Sequence, residues 1–380
     1  MTTPASGPRI AIAYASPRPD TFVQAHMERL PGVVLVLGDG LPPNRLENGG
    51  LIMHGSGAGR IMDVASGALR GLLPQKEHSR RIAQLLKERE AQVVLAEFGY
   101  TAMYMLDACR MAGVPLVAHF HGIDAHSRDY LRKYHRYQQL FKEGAAFVAV
   151  SRSMRDHLIQ LGAPAERTHH IVYGVDLERF TGASPAQAPT NLLAIGRFVE
   201  KKAPHLTILA FAKVLDRLPD ARLIMVGDGR LWEACDSMVR AMGLGDRIQL
   251  AGRSPHEDIL QYLHTARAFV QHSVTALNGD SEGTPVAILE AMAAGLPVIA
   301  TRHAGIMDVV GHGVHGLLCD ELDITTMAAH MERLLSDPGL AGTLGTQAAS
   351  QARRTFPMEQ QIAALHTVLR QAISYHRSGI

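Results

Sequence analysis

The residues SEGTPVAILEAMAAG at positions 281–295 have the pattern of a loop that leads into a helix. Thr284 suits the N-cap, and Pro285 suits the first helical position because its missing N–H would be unpaired there. Gly295 is the expected C-terminal stop. The next residues, Leu296–Thr301, are predicted to form a buried strand.

Two carboxylates lie on either side of this helix start. Glu282 precedes the predicted cap, and Glu290 lies inside the helix among apolar residues. At about 1.5 Å per residue they are roughly 8–10 Å apart along the axis, which suits the two ends of one elongated ligand. The backbone N–H groups of Gly283, Thr284 and Val286, with Pro285 between them, lie at the positive end of the helix and favour an anion. This order suits a sugar, a diphosphate and a ribose.

A simpler interpretation makes Glu282 a solvated loop residue and Glu290 a helix-surface residue. Glu290 favours the ligand site, because a carboxylate with apolar neighbours on both sides needs hydrogen-bond donors if it is buried.

Length and composition limit the class of protein. A chain of 380 residues with 47% hydrophobic residues is expected to form two domains with packed cores. The 38 basic and 36 acidic residues give a net charge of +2, so no nucleic-acid partner is expected. The three cysteines are far apart and form no CxxC pair, which favours a reducing, cytoplasmic setting over a zinc site or disulfides. No signal peptide or membrane-spanning segment is predicted.

Apolar segments alternate with helical ones through both halves, which predicts parallel sheets covered on both faces. The Pro/Ala segment 181–189 interrupts the pattern, and a new strand is predicted at Asn191–Ile195. We therefore place a domain boundary after residue 182.

Candidate ligand-binding residues follow predicted strands in each half. Gly196 and Arg197 come directly after the strand Asn191–Ile195, with Lys202 in the same loop. Glycine allows close backbone approach, and arginine and lysine are the usual phosphate partners, although single basic residues are commonly plain surface charges. His121 follows the predicted strand Val114–His119, at the sheet edge where α/β proteins bind ligands.

These motifs resemble those of retaining glycosyltransferases of family four. Glu282 and Glu290 match the family's E-x7-E signature within SEGTPVAILEAMAAGLPVIAT, and Gly196-Arg197 with Lys202 is similar to its diphosphate-binding motif. His121-Gly122 and Gly174-Val175-Asp176 resemble its N-terminal and interdomain elements. The resemblance is strongest over residues 191–318 and is closest to enzymes of bacterial exopolysaccharide or lipopolysaccharide biosynthesis.

The resemblance implies the GT-B fold, with two Rossmann-like domains whose parallel sheets face a central cleft. Residues 1–182 would bind the acceptor, residues 183–355 the nucleotide-sugar donor, and a helix in 356–380 would cross back to the first domain. Three positions depart from the family pattern and leave the donor open: Tyr173 replaces Asn, Ala203 replaces Gly, and Met307-Asp308 replaces Pro-Glu.

The resemblance also implies the reaction. A hexose would move with retention from a nucleoside diphosphate sugar, UDP favoured over GDP, to a glycan, lipid-linked or small-molecule acceptor. Arg197, Lys202 and the N–H groups of 283–286 would stabilise the diphosphate, Glu290 would hold the ribose, and Glu282 and His121 would face the sugar. The chain contains no Asp-x-Asp pair, which fits a reaction without metal or other cofactor.

Alternative interpretations remain. A sugar-nucleotide epimerase would share the architecture, whereas a dinucleotide oxidoreductase is disfavoured because no GxGxxG follows the first strand. His119, His121 and His126 could be taken as a metal cluster, but no carboxylate or further ligand is evident beside them. The basic side of the helix predicted at 76–90 is either solvated or a contact for anionic lipid headgroups on the inner membrane face.

Overall fold

The computed structural model describes residues 7–52 and 74–378, except the side chains of residues 74, 75, 256 and 257. The chain forms two compact units. The first runs up to Val150 and adds Met154–Ile171 and the residues from Ile362 onward, whereas the second comprises Ser151–Ser153 and Val172–Gln361. The predicted boundary after residue 182 lies inside the second unit. There Val175 exchanges backbone hydrogen bonds with Phe356 and Met358.

The first unit is built on a sheet with the strand order β3-β2-β1-β4-β5-β6-β7. All neighbouring strands are parallel except the short antiparallel pair of β2 and β3. The central strands are buried along their whole length, as continuous apolar runs predict for a sheet covered on both faces. The strands are Ile10–Ala13 (β1), Val33–Gly38 (β2), Arg45–Leu46 (β3), Val93–Glu97 (β4), Leu116–Phe120 (β5), Ala146–Ala149 (β6) and Thr168–His170 (β7).

Helices connect these strands. They are Thr21–Arg29 (α1), Pro74–Glu88 (α2), Gly99–Ala112 (α3), Ile123–His126 (α4), Arg128–Lys133 (α5), Gln138–Glu143 (α6) and Arg152–Leu161 (α7).

The second unit has the strand order β10-β9-β8-β11-β12-β13, and every pair is parallel. This is the doubly wound Rossmann order, in which ligands bind at the carboxyl edge where the strand order reverses. Here the reversal lies between β8 and β11. The strands are Asn191–Ile195 (β8), Arg222–Val226 (β9), Ile248–Gly252 (β10), Ala268–Gln271 (β11), Val298–Thr301 (β12) and Gly316–Cys319 (β13).

Helices cover both faces of this sheet, and a buried apolar cluster that includes Phe198, Phe211 and Met331 joins them to it. They are Pro204–Val214 (α8), Trp232–Ala241 (α9), His256–Thr265 (α10), Val286–Ala294 (α11), Ile306–Val309 (α12), Ile324–Ser336 (α13), Pro338–Thr355 (α14) and Met358–Arg377 (α15). Helix α15 starts in the second unit and belongs to the first from Ile362. None of the described helices combines the length and apolar character needed to cross a bilayer.

Candidate functional site

The loop before α11 differs in detail from its prediction. The helix begins at Val286, and Pro285 occupies the N-cap in an extended conformation without a side-chain cap. Thr284 is therefore not the cap, because the extended Pro285 already ends the loop. The first N–H groups of α11 have no partner within the helix, as at any helix N-terminus. Gly295 ends the helix in the left-handed conformation, as predicted.

Glu282 is buried in this loop, with 5% of its surface exposed. Its Oε1 lies 3.1 Å from Nζ of Lys202, in the loop after β8. Burial disfavours the charged form, but Lys202 and Lys201 outweigh it and lower the pKa of Glu282. Glu282 is therefore a buried, ionised carboxylate rather than a solvated loop residue.

Two neighbouring lysines connect the loop after β8 to the loop before α11. Lys202 Nζ also donates to Gln271 Oε1 at 3.2 Å, and burial lowers the pKa of Lys202 despite the opposing effect of Glu282. Lys201, also buried, donates to Asp280 at 3.0 Å and to the Ser281 carbonyl at 3.1 Å. An ammonium carries three N–H donors, and among the described residues its contacts are with Gln271 and Glu282, so Lys202 keeps a donor for a ligand.

Gly196 and Arg197 lie beside this ion pair. With Phe198, Lys202 and Gln271 they line a pocket at the carboxyl end of β8. Arg197 is exposed, and no ion pair involving it occurs within residues 7–52 and 74–378. Gly227 has a φ of 137°, and a Cβ added there would overlap the Gly196 carbonyl, so glycine is required for this close approach.

Sequence reasoning missed a second support of the Glu282 loop, at the end of β12. The Glu282 N–H donates to His303 Nε2 at 3.1 Å, and the opposite ring nitrogen, Nδ1, donates to Glu321 Oε1 at 2.5 Å. Gly305 packs so closely that an added Cβ would overlap the Gly283 carbonyl oxygen. The one feature of the sequence that could have indicated a role for His303 is its position just after a buried strand.

Glu290 lies farther along α11, and only 9% of its surface is exposed. Burial raises its pKa to about 7, and the nearby charge of Arg179 only partly opposes this. Of the remaining predicted residues, Gly283, Thr284 and Pro285 are buried and Val286 is partly exposed.

His121 belongs to the first unit and follows β5. Its Nε2 lies 2.8 Å from Glu97 Oε2, and its ring lies against Phe22 and Phe98. Asp124 anchors the His121-Gly122 turn, because its Oδ1 accepts both backbone N–H groups at 3.0 Å. Burial raises the pKa of Asp124 to about 6 although these N–H groups favour its charged form.

The cluster of His119, His121 and His126 considered from the sequence is not the one that forms. Glu97, at the end of β4, supplies the carboxylate that the sequence did not reveal, and His26 of α1 joins it. His126 instead stacks on His157, with ring centroids 4.9 Å apart. Within the described part of the chain, His26, Glu97 and His119 are the group close enough to hold a metal ion.

The basic side of α2 is partly neutralised. Arg80 pairs with Glu77 at 3.0 Å, and Arg81 lies 3.6 Å from Glu88.

Comparison with known proteins assigns the chain to a family. Residues 50–179 match the family described as Glycosyltransferase Family 4, and residues 180–351 match Glycosyl transferases group 1. The amylovoran biosynthesis glycosyltransferase AmsK of Erwinia amylovora is 31% identical over 287 residues, which cover 74% of this chain and 70% of AmsK. A GDP-mannose-dependent α-(1-6)-phosphatidylinositol monomannoside mannosyltransferase of Mycolicibacterium smegmatis is 26% identical over 72% of this chain and 75% of its own. The alignments with AmsK and two further relatives span 61 to 70% of those proteins.

The whole fold has counterparts among solved structures. HepE of Anabaena, in complex with UDP-glucose, superposes with a TM-score of 0.73 at 22% identity, covering 95% of this chain and 99% of HepE. This likeness and the two parallel-sheet units confirm the predicted GT-B fold. Together with the similarity to AmsK, these matches show that the chain belongs to glycosyltransferase family 4.

Proposed function

We propose that the protein transfers a hexose from a nucleoside diphosphate sugar to an acceptor hydroxyl, with retention of configuration and without a metal ion. The observation that supports this most directly is the buried pair of Lys202 and Glu282 beside the N-terminus of α11. A basic loop, an acidic loop and a helix N-terminus then meet at the carboxyl edge of one Rossmann-like sheet. This combination suits a diphosphate joined to a polyhydroxylated group.

The donor's diphosphate gains negative charge as the bond to the sugar breaks. Preorganised donors at that position contribute the largest catalytic effect in many enzymes. We assign this role to the exposed guanidinium of Arg197, the remaining N–H of Lys202 and the backbone N–H groups near Gly283 and Val286. Residues 183–355 would thus form the donor domain.

The remaining residues hold the ends of the donor. Glu282 is ionised and accepts hydrogen bonds, so we assign it to hydroxyl groups of the sugar. Glu290 accepts hydrogen bonds from the ribose hydroxyls, and these would stabilise the charged form of a carboxyl group that burial disfavours. His121, from the first domain, acts on the donor sugar.

We favour UDP over GDP because HepE binds UDP-glucose and shares the complete fold, although a mannosyltransferase relative depends on GDP-mannose. The acceptor, a glycan, lipid-linked or small molecule, would bind residues 1–182 in the cytoplasm. The basic side of α2 would bring the protein to anionic lipid on the inner membrane face.

A thermal-shift screen of nucleotide sugars tests the proposal. At 100 times its Kd a donor should add about 2.7 kcal/mol of stability, and UDP-hexoses should act at lower concentration than GDP-mannose. Mass spectrometry should then detect transfer to a glycan or lipid-linked acceptor with EDTA present. Formation of an isomeric nucleotide sugar without acceptor would instead indicate an epimerase, and no shift with any nucleotide sugar would contradict the proposal.

A further inference from the structure

We infer that Glu97 is a positioning residue for His121, fixing which ring nitrogen carries the hydrogen and how the imidazole is oriented. This inference rests on the proposed role of His121 at the donor sugar. It concerns a buried group of His26, Glu97, His119 and His121, which lies at the carboxyl edge of the first unit's sheet and is called here the Glu97 cluster.

Glu97 is fully buried, and both of its oxygens face imidazoles. Its Oε1 lies 2.7 Å from His26 Nδ1, and its Oε2 lies 2.8 Å from His121 Nε2. His119 Nδ1 is 3.3 Å from Oε2. Burial disfavours the carboxylate, but His26 and His119 outweigh it and hold the pKa of Glu97 well below its usual range. Glu97 is therefore an ionised carboxylate, and each of its two oxygens accepts a hydrogen bond from an imidazole.

The tautomer of His121 follows from this contact. An ionised carboxylate only accepts hydrogen bonds, so Nε2 of His121 must carry the hydrogen. Burial lowers the pKa of His121 to about 3, with a further contribution from His119, so the ring is neutral. A neutral ring with hydrogen on Nε2 has its lone pair on Nδ1, so Nδ1 is the ring nitrogen that acts as an acceptor.

The surroundings hold the ring in one plane. Phe22 stacks on His121 with centroids 4.4 Å apart, and Phe98 lies 4.5 Å away at a steeper angle. Phe98 has a φ of 72°, which a non-glycine residue adopts only when its surroundings impose it. Because Phe98 directly follows Glu97, this strained backbone lies at the point where the carboxylate enters the cluster.

The two shortest distances favour a proton over a metal ion between Glu97 and its partners His26 and His121. Two ligands of one tetrahedral zinc, each at about 2.0–2.1 Å, lie about 3.3 Å apart. The contacts of 2.7 and 2.8 Å with His26 and His121 are shorter and are ordinary charge-assisted hydrogen bonds. The contact with His119, at 3.3 Å, equals the separation of two zinc ligands, so the metal content of the protein is part of the test.

The test combines kinetics with a spectroscopic measurement on the full chain. We compare Glu97→Leu, Glu97→Gln, His121→Ala and the double variant Glu97→Leu/His121→Ala. The control is Glu143→Gln, which removes a carboxylate that pairs with Arg110 elsewhere in the same unit. We expect Glu97→Leu to lower kcat about as much as His121→Ala does. The double variant should have a kcat no lower than either single variant, and Glu97→Gln should have a higher kcat than Glu97→Leu.

The nitrogen spectrum of histidine-labelled wild-type protein should show His121 with its hydrogen on Nε2, and Glu97→Leu should change that signal. This measurement needs no activity, so it remains informative if no donor is found or if Glu97→Leu fails to fold. Hydrogen on Nδ1 in the wild type, multiplicative kinetic losses, or stoichiometric metal on purification would each overturn the inference. Full activity of His121→Ala would instead refute the proposed role of His121 and leave the tautomer result standing.

Discussion

Lys202 Nζ lies 3.1 Å from Glu282 Oε1, and both side chains are largely buried. The pair joins two loops that are far apart in sequence, one after β8 and one before α11. Each charge therefore makes the burial of the other tolerable, and removing one leaves the other uncompensated. Arg197 lines the same pocket but is exposed. Removing Arg197 should therefore affect catalysis alone, whereas removing Lys202 should affect both catalysis and stability.

We expect Arg197→Ala to lower turnover on the order of 100-fold or more with little change in Tm, because it removes only stabilisation of the departing diphosphate. Lys202→Ala should lower turnover similarly and also lower stability by about 3–5 kcal/mol, because Glu282 then remains buried and unpaired. Steady-state kinetics and thermal unfolding measure the two effects. Lys213→Ala, an exposed change on α8, is the control. Near-wild-type turnover in both variants would refute the phosphate assignment.

Glu290 should make stability depend on pH. Burial raises its pKa to about 7 from the ordinary value of 4.5, so between these values the folded state holds a proton that the unfolded state has lost. Stability must then fall as pH rises from 5 to 8, by up to about 3 kcal/mol from this group.

Glu290→Gln cannot titrate, so its Tm advantage over wild type should grow from pH 5 to pH 8. The control change Glu332→Gln, at a partly exposed residue of α13 that pairs with Arg217, should show no such trend. Parallel Tm curves for Glu290→Gln and wild type would show that Glu290 titrates normally.

The sequence predicts the architecture well where apolar strands alternate with helices, because that pattern is local. It predicts poorly the elements that carry little pattern, such as the two-residue antiparallel β3 and the strand β13. The loops that contain Arg197, Lys202 and Glu282 are also found by a local rule, since they follow buried strands.

Partners that are distant in sequence could not be predicted. Glu97 and His303 also lie at strand ends, but their importance comes from contacts with His26, 71 residues away, and with the Glu282 backbone. A single carboxylate at the end of an apolar strand gives no sign of its role in the sequence, because only the fold brings the histidine side chains next to it. The pairing of Lys202 with Glu282, rather than with phosphate alone, is likewise a contact between distant residues that the sequence could not predict.

The backbone conformation of Ala203 indicates that replacing this residue by glycine should stabilise the protein. It has a φ of 37° and a ψ of 53° directly before α8, a left-handed conformation that glycine adopts without strain. Ala203→Gly should therefore raise stability by about 1 kcal/mol, measured as an increase in Tm. Ala212→Gly, within the same helix, should instead lower stability by about 1 kcal/mol. A Tm decrease for both variants would show that the left-handed conformation at Ala203 is not strained.

Gly305→Ala tests whether the loop before α11 must be held in place for donor binding. A Cβ at residue 305 would overlap the Gly283 carbonyl oxygen, so the backbone around Gly283 must shift. The proposed anion site depends on N–H groups in this segment, and a displacement of about 1 Å in a positioned group can reduce rate about 100-fold. We therefore expect a marked loss of donor affinity and turnover while Lys202 and Glu282 are still present. Isothermal titration with the best donor from the thermal-shift screen measures the donor affinity.

Gly245→Ala is the matched control, because no atom lies within 4 Å of an added Cβ there. Equal donor affinity in the two variants would show that the loop tolerates displacement and that its N–H groups do not bind the diphosphate.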